Sequence, residues 1–175
     1  MEKGNAGKST LAILVNNKSG VLMRVVGLFS RRGYNINSLS VGETEKSDIS
    51  RITVVVSVED KTIINQIKRQ VEKLVDVIRV YEMTSAGSLQ KELVLVKIRA
   101  DESTRTHLVE LAEIFKAKII DVTRSTITLQ LTGDLDKLDA FMSLVSDYGI
   151  VELARTGITA LERGSRALSE IDFEN

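Results

Sequence analysis

Apolar positions follow two rhythms that alternate along the chain. Leu11-Ala12-Ile13-Leu14-Val15 is a continuous apolar run, the pattern of a buried strand. Val21, Leu22, Val25, Val26 and Phe29 then recur at helical spacing and predict a helix over residues ~20–32. Leu39 and Val41 alternate with polar neighbours, and Ile52, Val54, Val56 and Val58 do the same, which predicts a second and a third strand. Ile63, Ile64, Ile67, Val71 and Leu74 return to helical spacing, and the β-rich stretch Val75 to Met83 closes the unit. The order is β-α-β-β-α-β.

Thr84-Ser85-Ala86-Gly87-Ser88 is small and polar and suits a domain boundary. The order then begins again. Leu93 to Ala100 reads as a strand, and Asp101-Glu102-Ser103 offers caps for a helix carrying Leu108, Leu111, Ala112 and Phe115. Ile119, Ile120 and Val122 form one strand and Ile127, Leu129 and Leu131 another, with Arg124-Ser125 near the turn. Gly133-Asp134 starts a helix carrying Leu138, Phe141, Met142 and Val145, and Ile150 to Ala154 is the last strand. The expected fold class is α+β: two consecutive ferredoxin-like β-α-β-β-α-β domains, each an antiparallel sheet with two helices on one face. The expected bounds are 9–84 and 90–164, followed by a polar tail over 165–175.

Composition narrows the function. The chain is 43% hydrophobic and 27% charged, as in an ordinary soluble globular protein. Lys+Arg and Asp+Glu both count 24, so no charge excess points to nucleic acid or a membrane surface. There is no cysteine, which excludes thiolate chemistry, and with one histidine, His107, transition-metal sites and Ser-His catalysis are nearly excluded. No apolar run approaches the ~20 residues that span a bilayer, and Met1 to Lys8 lacks a signal-peptide core, so the expected location is the cytoplasm. Gly4-Asn5-Ala6-Gly7-Lys8-Ser9-Thr10 imitates a phosphate loop but has Glu2 where a glycine is needed and a strand, not a helix, after it. Asp134, Asp136 and Asp139 surround a helix start and are expected to cap it and face solvent. An RNA-binding sheet would display aromatics on its central strands, and Arg51 to Val58 carries none.

The candidate site lies where the first strand gives way to the first helix. Asn16-Asn17-Lys18-Ser19-Gly20-Val21-Leu22 precedes that helix and Gly33-Tyr34-Asn35-Ile36-Asn37-Ser38-Leu39 follows it. A helix start offers unpaired N–H groups and a partial positive charge, which suits a small carboxylate, and asparagine adds donors and acceptors. The plain reading keeps Ser19 as an N-cap, Gly20 as a first-turn residue and Gly33 as a C-cap. The second half has no counterpart of either segment, so a ligand site belongs to the first half.

These two segments closely resemble the ACT domain of the acetolactate synthase (acetohydroxyacid synthase) small regulatory subunit family. The resemblance continues through Leu74-Val75-Asp76-Val77-Ile78-Arg79-Val80, Glu92 to Ile98, Ala112 to Thr123, Asp136 to Phe141 and Ala154-Arg155-Thr156-Gly157, covering residues ~9–164. It implies a non-catalytic regulatory chain that activates a large catalytic subunit and shuts it down when valine binds. Thiamine diphosphate, Mg²⁺ and FAD are expected on that partner and no cofactor on this chain. First-half domains are expected to pair through edge strands into a homodimer with valine at the interface. The resemblance carries the site to Asn17, Gly20, Val21 and Leu22, completed by Asn35 and Ile36 from the facing subunit. There, N–H groups near Gly20 to Leu22 are expected to hold the carboxylate, the Asn17 and Asn35 carbonyls the ammonium, and Val21 and Ile36 the isopropyl group. Position 23, expected to be small and polar, is Met23, which bears on effector preference. One methylene changes affinity by only ~1–3 kcal/mol, so leucine and isoleucine stay open as effectors.

The polar loop Glu43 to Ser50 is a candidate contact with the catalytic subunit. Two rival classes remain: a freestanding ACT-type amino-acid-binding module, which would bind valine without capturing a synthase subunit, and an independent enzyme, which the missing catalytic constellation disfavours.

Overall fold

The computed structural model describes residues 7–58, 60–165 and 167–168; most of the Gly-rich start and most of the 165–175 tail lie outside the described residues. The chain divides into two compact units, Met1–Gln90 with Ile158–Asn175, and Lys91–Gly157. The break between the units falls at Gln90/Lys91, just past the polar stretch Thr84 to Ser88. That stretch is a turn within the first unit, where Gly87 N–H donates to Thr84 Oγ1 and Ser88 Oγ–H to the Thr84 carbonyl. By compactness, the chain after Gly157 groups with the first unit.

In the first unit, β1 (Gly7–Asn16), α1 (Val21–Arg31), β2 (Ile36–Glu43), β3 (Ile49–Val58), α2 (Lys61–Val71) and β4 (Val77–Met83) follow in order. The sheet order is β2-β3-β1-β4, with every neighbouring pair antiparallel. The segment that imitates a phosphate loop ends in strand: Gly7, Lys8, Ser9 and Thr10 pair with Val58, Ser57, Val56 and Val55. Leu11, Ile13, Val15, Ile52, Val54 and Val56 pack against Val21, Val25, Leu28 and Phe29 of α1 and Ile64, Ile67 and Val71 of α2. The opposite faces of β1 and β3 are also buried at Ala12, Leu14, Thr53 and Val55. This explains why the Leu11–Val15 run is continuous rather than alternating.

Groups from the chain's return serve that second face. Thr10 Oγ1–H donates to Gln90 Oε1 at 3.3 Å, and Arg51 Nη2–H donates to the Ala160 carbonyl. The strand β9 (Thr159–Glu162), absent from the sequence expectation, pairs with β5 (Ser88–Arg99), whose first residues belong to this unit. Burial lowers the Arg51 guanidinium's pKa, and Glu162 partly offsets this.

The end of α1 follows from Gly33. Its φ of +71° is a left-handed conformation in which a side chain costs energy. There Gly33 N–H reaches the Ser30 carbonyl at 3.0 Å and Tyr34 N–H the Phe29 carbonyl at 3.0 Å, closing the last turn. The Tyr34 ring meets Phe29 edge-on with centroids 6.4 Å apart.

The second unit contains most of β5, then α3 (Arg105–Phe115), β6 (Lys118–Val122), β7 (Thr126–Gly133), α4 (Leu135–Val145) and β8 (Ile150–Arg155). Its sheet order is β6-β7-β5-β8. Val94, Val96, Ile98, Ile127, Leu129 and Leu131 pack against Leu108, Ala112, Leu138 and Phe141. The buried Glu92 carboxylate takes two hydrogen bonds from Arg155, at 3.0 and 2.6 Å, and one from Gly157 N–H at 3.1 Å. These bonds fix the chain just before it leaves the unit. Asp134 caps α4 through Lys137 N–H, as expected, and Asp101 accepts from the N–H groups of Ser103 and Thr104 ahead of α3.

Two outcomes follow. Gly33→Ala should lower stability to denaturant by about 1–2 kcal/mol, since no heavy atom lies within 4 Å and only the left-handed backbone is penalised. Hydrogen bonds from Ser103 and Thr104 hold the Asp101 carboxyl down at about 2. A folded pKa below the unfolded value stabilises above the unfolded pKa and is lost as pH falls through the folded one. Asp101→Ala should therefore melt below wild type near neutrality, with the gap narrowing as pH drops from about 4 towards about 2.

Candidate functional site

Helix α1 does not start as expected. Ser19 makes no cap; Gly20 is the N-cap residue, at φ +82°, without a side-chain hydrogen bond. A glycine there turns the chain from β1 into the helix in a conformation few other residues adopt. A Cβ at this position would also come 3.3 Å from Arg24 Nη1. The first turn leaves N–H groups without intrahelical acceptors. Among them Val21 N–H makes only a long 3.3 Å bond to the Lys18 carbonyl. No acidic side chain occupies the first turn, so the positive end of the helix is not neutralised from within.

Asn17 sits beside this helix start and ties it to the β2–β3 hairpin. Its N–H donates to the Asp48 carbonyl at 2.7 Å. Its side-chain Nδ2 donates to Glu43 Oε1 at 3.0 Å and to the Ser47 carbonyl at 2.8 Å. Both amide hydrogens are thus engaged, which leaves Oδ1 as the side chain's free function, an acceptor. On the other flank, Arg24 Nη2 bonds Asp76 Oδ2 at 2.5 Å, and Asn16 N–H bonds the Asp76 carbonyl at 2.9 Å. Glu43, Ser47, Arg24 and Asp76 were not foreseen as members of this region. Their pairings span 26 to 60 residues of sequence, and no local pattern reveals them.

The expected site residues do not converge within one chain. Ile36 pairs with Val56, which faces Ser9 at the start of β1, whereas Glu43 pairs with Ser50, which faces Val15 near its end. Asn17 and Gly20 therefore lie at one end of the sheet and Asn35 and Ile36 at the other. Seven residue steps of strand separate Ile36 from Glu43, on the order of 20 Å. No free amino acid bridges that distance.

Side-chain placement also revises part of the expectation. Val21 is 2% exposed and belongs to the core, so its side chain is not available to a ligand and only its main chain is. Leu22 and Met23 are exposed at the helix start, Asn35 is exposed, and Ile36 is half-buried. His107 is exposed on α3. No group of three or more His, Cys, Asp or Glu able to hold a metal ion occurs among the described residues. No helix among them is long and apolar enough to cross a membrane.

Removing the Asn17 side chain should release the hairpin. In Asn17→Ala, hydrogen exchange at Thr44 to Ile49 should accelerate while the amides of β1 stay protected.

Two family models divide the chain between them: the small-subunit-like ACT domain of acetohydroxyacid synthase over residues 11–79, and the small subunit of acetolactate synthase over residues 91–164. A probable acetolactate synthase small subunit of Archaeoglobus fulgidus is 49% identical, covering 91% of this chain and 99% of the relative. The acetolactate synthase small subunit of Mycolicibacterium smegmatis is 46% identical, covering 91% and 93% respectively. The crystal structure of the small subunit from Thermotoga maritima matches with a TM-score of 0.83 at 38% identity, covering 91% of this chain and 99% of that one. With two ferredoxin-like units in the described fold and relatives of this identity along nearly its whole length, the chain belongs to the acetolactate synthase small-subunit family.

Proposed function

We propose that this chain activates the large catalytic subunit of an acetolactate synthase and makes it subject to feedback inhibition by valine. The chemistry, with thiamine diphosphate, Mg²⁺ and FAD, belongs to the partner, and this chain binds none of them. The observation that carries the reading is the helix start of α1 beside an Asn17 whose only free side-chain function is a carbonyl oxygen. An N–H-rich turn and a carbonyl acceptor match the two charged ends of an amino acid.

The site is completed by a second copy. β2 is an edge strand, and antiparallel pairing with the same strand of another copy brings the partner's Ile36 and Asn35 to the Glu43 end. Pairing through β4, the other edge, leaves Ile36 remote from any Asn17. Homodimerisation through β2 removes an open edge and assembles the pocket in one step. In this arrangement Leu22 and the partner's Ile36 pack the ligand's side chain, while the Val21 side chain stays in the core. Met23, 73% exposed in the first turn, is available to adjust preference among valine, leucine and isoleucine.

Calorimetric titration of the full chain should show saturable valine binding that Asn35→Ala weakens. Absence of binding by valine, leucine and isoleucine would sink the effector reading. In a holoenzyme reconstituted with the catalytic subunit, Gly20→Asp should activate normally yet resist valine. It places a carboxylate beside the ligand's own and strains a backbone held at φ +82°. Full valine inhibition of that variant would show that the pocket lies elsewhere.

A further inference from the structure

We propose that Glu43 is the counter-charge for the ammonium group of the bound amino acid. The inference rests on the effector reading above and adds a residue that neither local sequence pattern nor the family resemblance assigns to the site.

An α-ammonium presents three N–H donors and a full positive charge, as a lysine ammonium does. Asparagine carbonyls from Asn17 and the partner copy's Asn35 supply two acceptors but no formal charge. Glu43 supplies both what is missing. Its Oε1 accepts from Asn17 Nδ2 at 3.0 Å, so the carboxylate is already fixed next to the amide that faces the ligand. Its second oxygen remains to accept the third N–H. The two acceptors are coupled: Glu43 and Ser47 both take hydrogens from Asn17 Nδ2 and thereby hold the amide with its oxygen free.

In the β2-paired dimer proposed above, Glu43 lies where the two copies meet. It is the last residue of edge strand β2, as Ile36 is the first. A two-fold axis through the middle of the strand pairs residue 36 of one copy with residue 43 of the other, and such directly opposed residues lie about 4.5–5.5 Å apart. Glu43 thus touches the Asn17 side of the pocket through its hydrogen bond and, in that dimer, would meet the Ile36 side through strand pairing.

The hairpin also carries Glu45 and Asp48. Asp48 contributes its main-chain carbonyl to Asn17 N–H, and Glu45 serves as a control for charge alone.

The test is calorimetric titration of the full chain with valine, on wild type, Glu43→Gln and Glu45→Gln. Hydrogen exchange at Thr44 to Ile49 is followed in parallel. Glu43→Gln keeps an oxygen that can accept from Asn17 but removes the charge. It should weaken valine binding about tenfold with hairpin protection unchanged, because a charge-assisted hydrogen bond becomes a neutral one. Glu45→Gln should bind within twofold of wild type. The proposal is overturned if Glu43→Gln binds valine as wild type does. It is equally overturned if hairpin protection falls with affinity, or if Glu45→Gln loses as much. Wild type that binds none of the branched-chain amino acids would overturn the effector reading itself, an outcome seen before any variant is compared.

Discussion

Strand β1 must satisfy two hydrogen-bonding edges and two apolar faces, and the rest of the first unit is arranged round that demand. Its edges are met by β3 and β4, both antiparallel. One face is met by α1 and α2. The other faces groups supplied by the chain's later return, including Gln90, which accepts from Thr10. Once β1 is fixed in this way, its C-terminal exit is fixed too. Asn16 is anchored to the Asp76 carbonyl and Asn17 to the Asp48 carbonyl. The turn that carries the candidate site is therefore suspended from a buried central strand of the unit, with hydrogen bonds to the chain on either side.

That suspension has a consequence for regulation. A ligand can bias a protein only through the difference in its affinity for two arrangements. The helix start, the β2–β3 hairpin and the entry to β4 are joined by few and specific bonds: Asn17 to Glu43, Ser47 and Asp48, and Arg24 to Asp76. In the proposed dimer an amino acid seated at the helix start would pull on the hairpin of one copy and the β2 start of the other. The signal would be a change in how two copies are held, not a deformation of either core. The second unit is built differently: its central strands β5 and β7 bury one face in alternation, and its buried carboxylate, Glu92, is partnered by Arg155 and Gly157. Breaking such a pair on one side leaves a buried charge and is strongly destabilising. It holds the exit of that unit firmly.

The β-α-β-β-α-β order of both halves was legible because it is written in local periodicity: Val25 and Phe29 at helical spacing, Ile52 to Val58 at strand spacing. Gly33 as the stop of α1 and Asp134 as the cap of α4 were legible for the same reason, since each acts on residues within one turn. Ser19 misled because a hydroxyl ahead of an apolar run is an ordinary cap, while the left-handed backbone at Gly20 that displaced it is a property of φ and not of composition. The continuous run Leu11 to Val15 did signal a buried strand, but not what would cover its second face.

The sequence by itself determined the elements, their order in two repeats, the absence of thiol chemistry and the half that holds the candidate site. Each of these depends on neighbours within a few residues. Only the tertiary structure decided that Gly157 ends the second unit and that β9 returns to the first. It alone decided that Val21 points into the core, that Glu43 holds Asn17, and that Asn17 and Ile36 lie at opposite ends of one sheet. Strand register and side-chain facing are set by hydrogen bonds and packing between residues tens of positions apart. No short-range pattern encodes which distant partner satisfies a given donor.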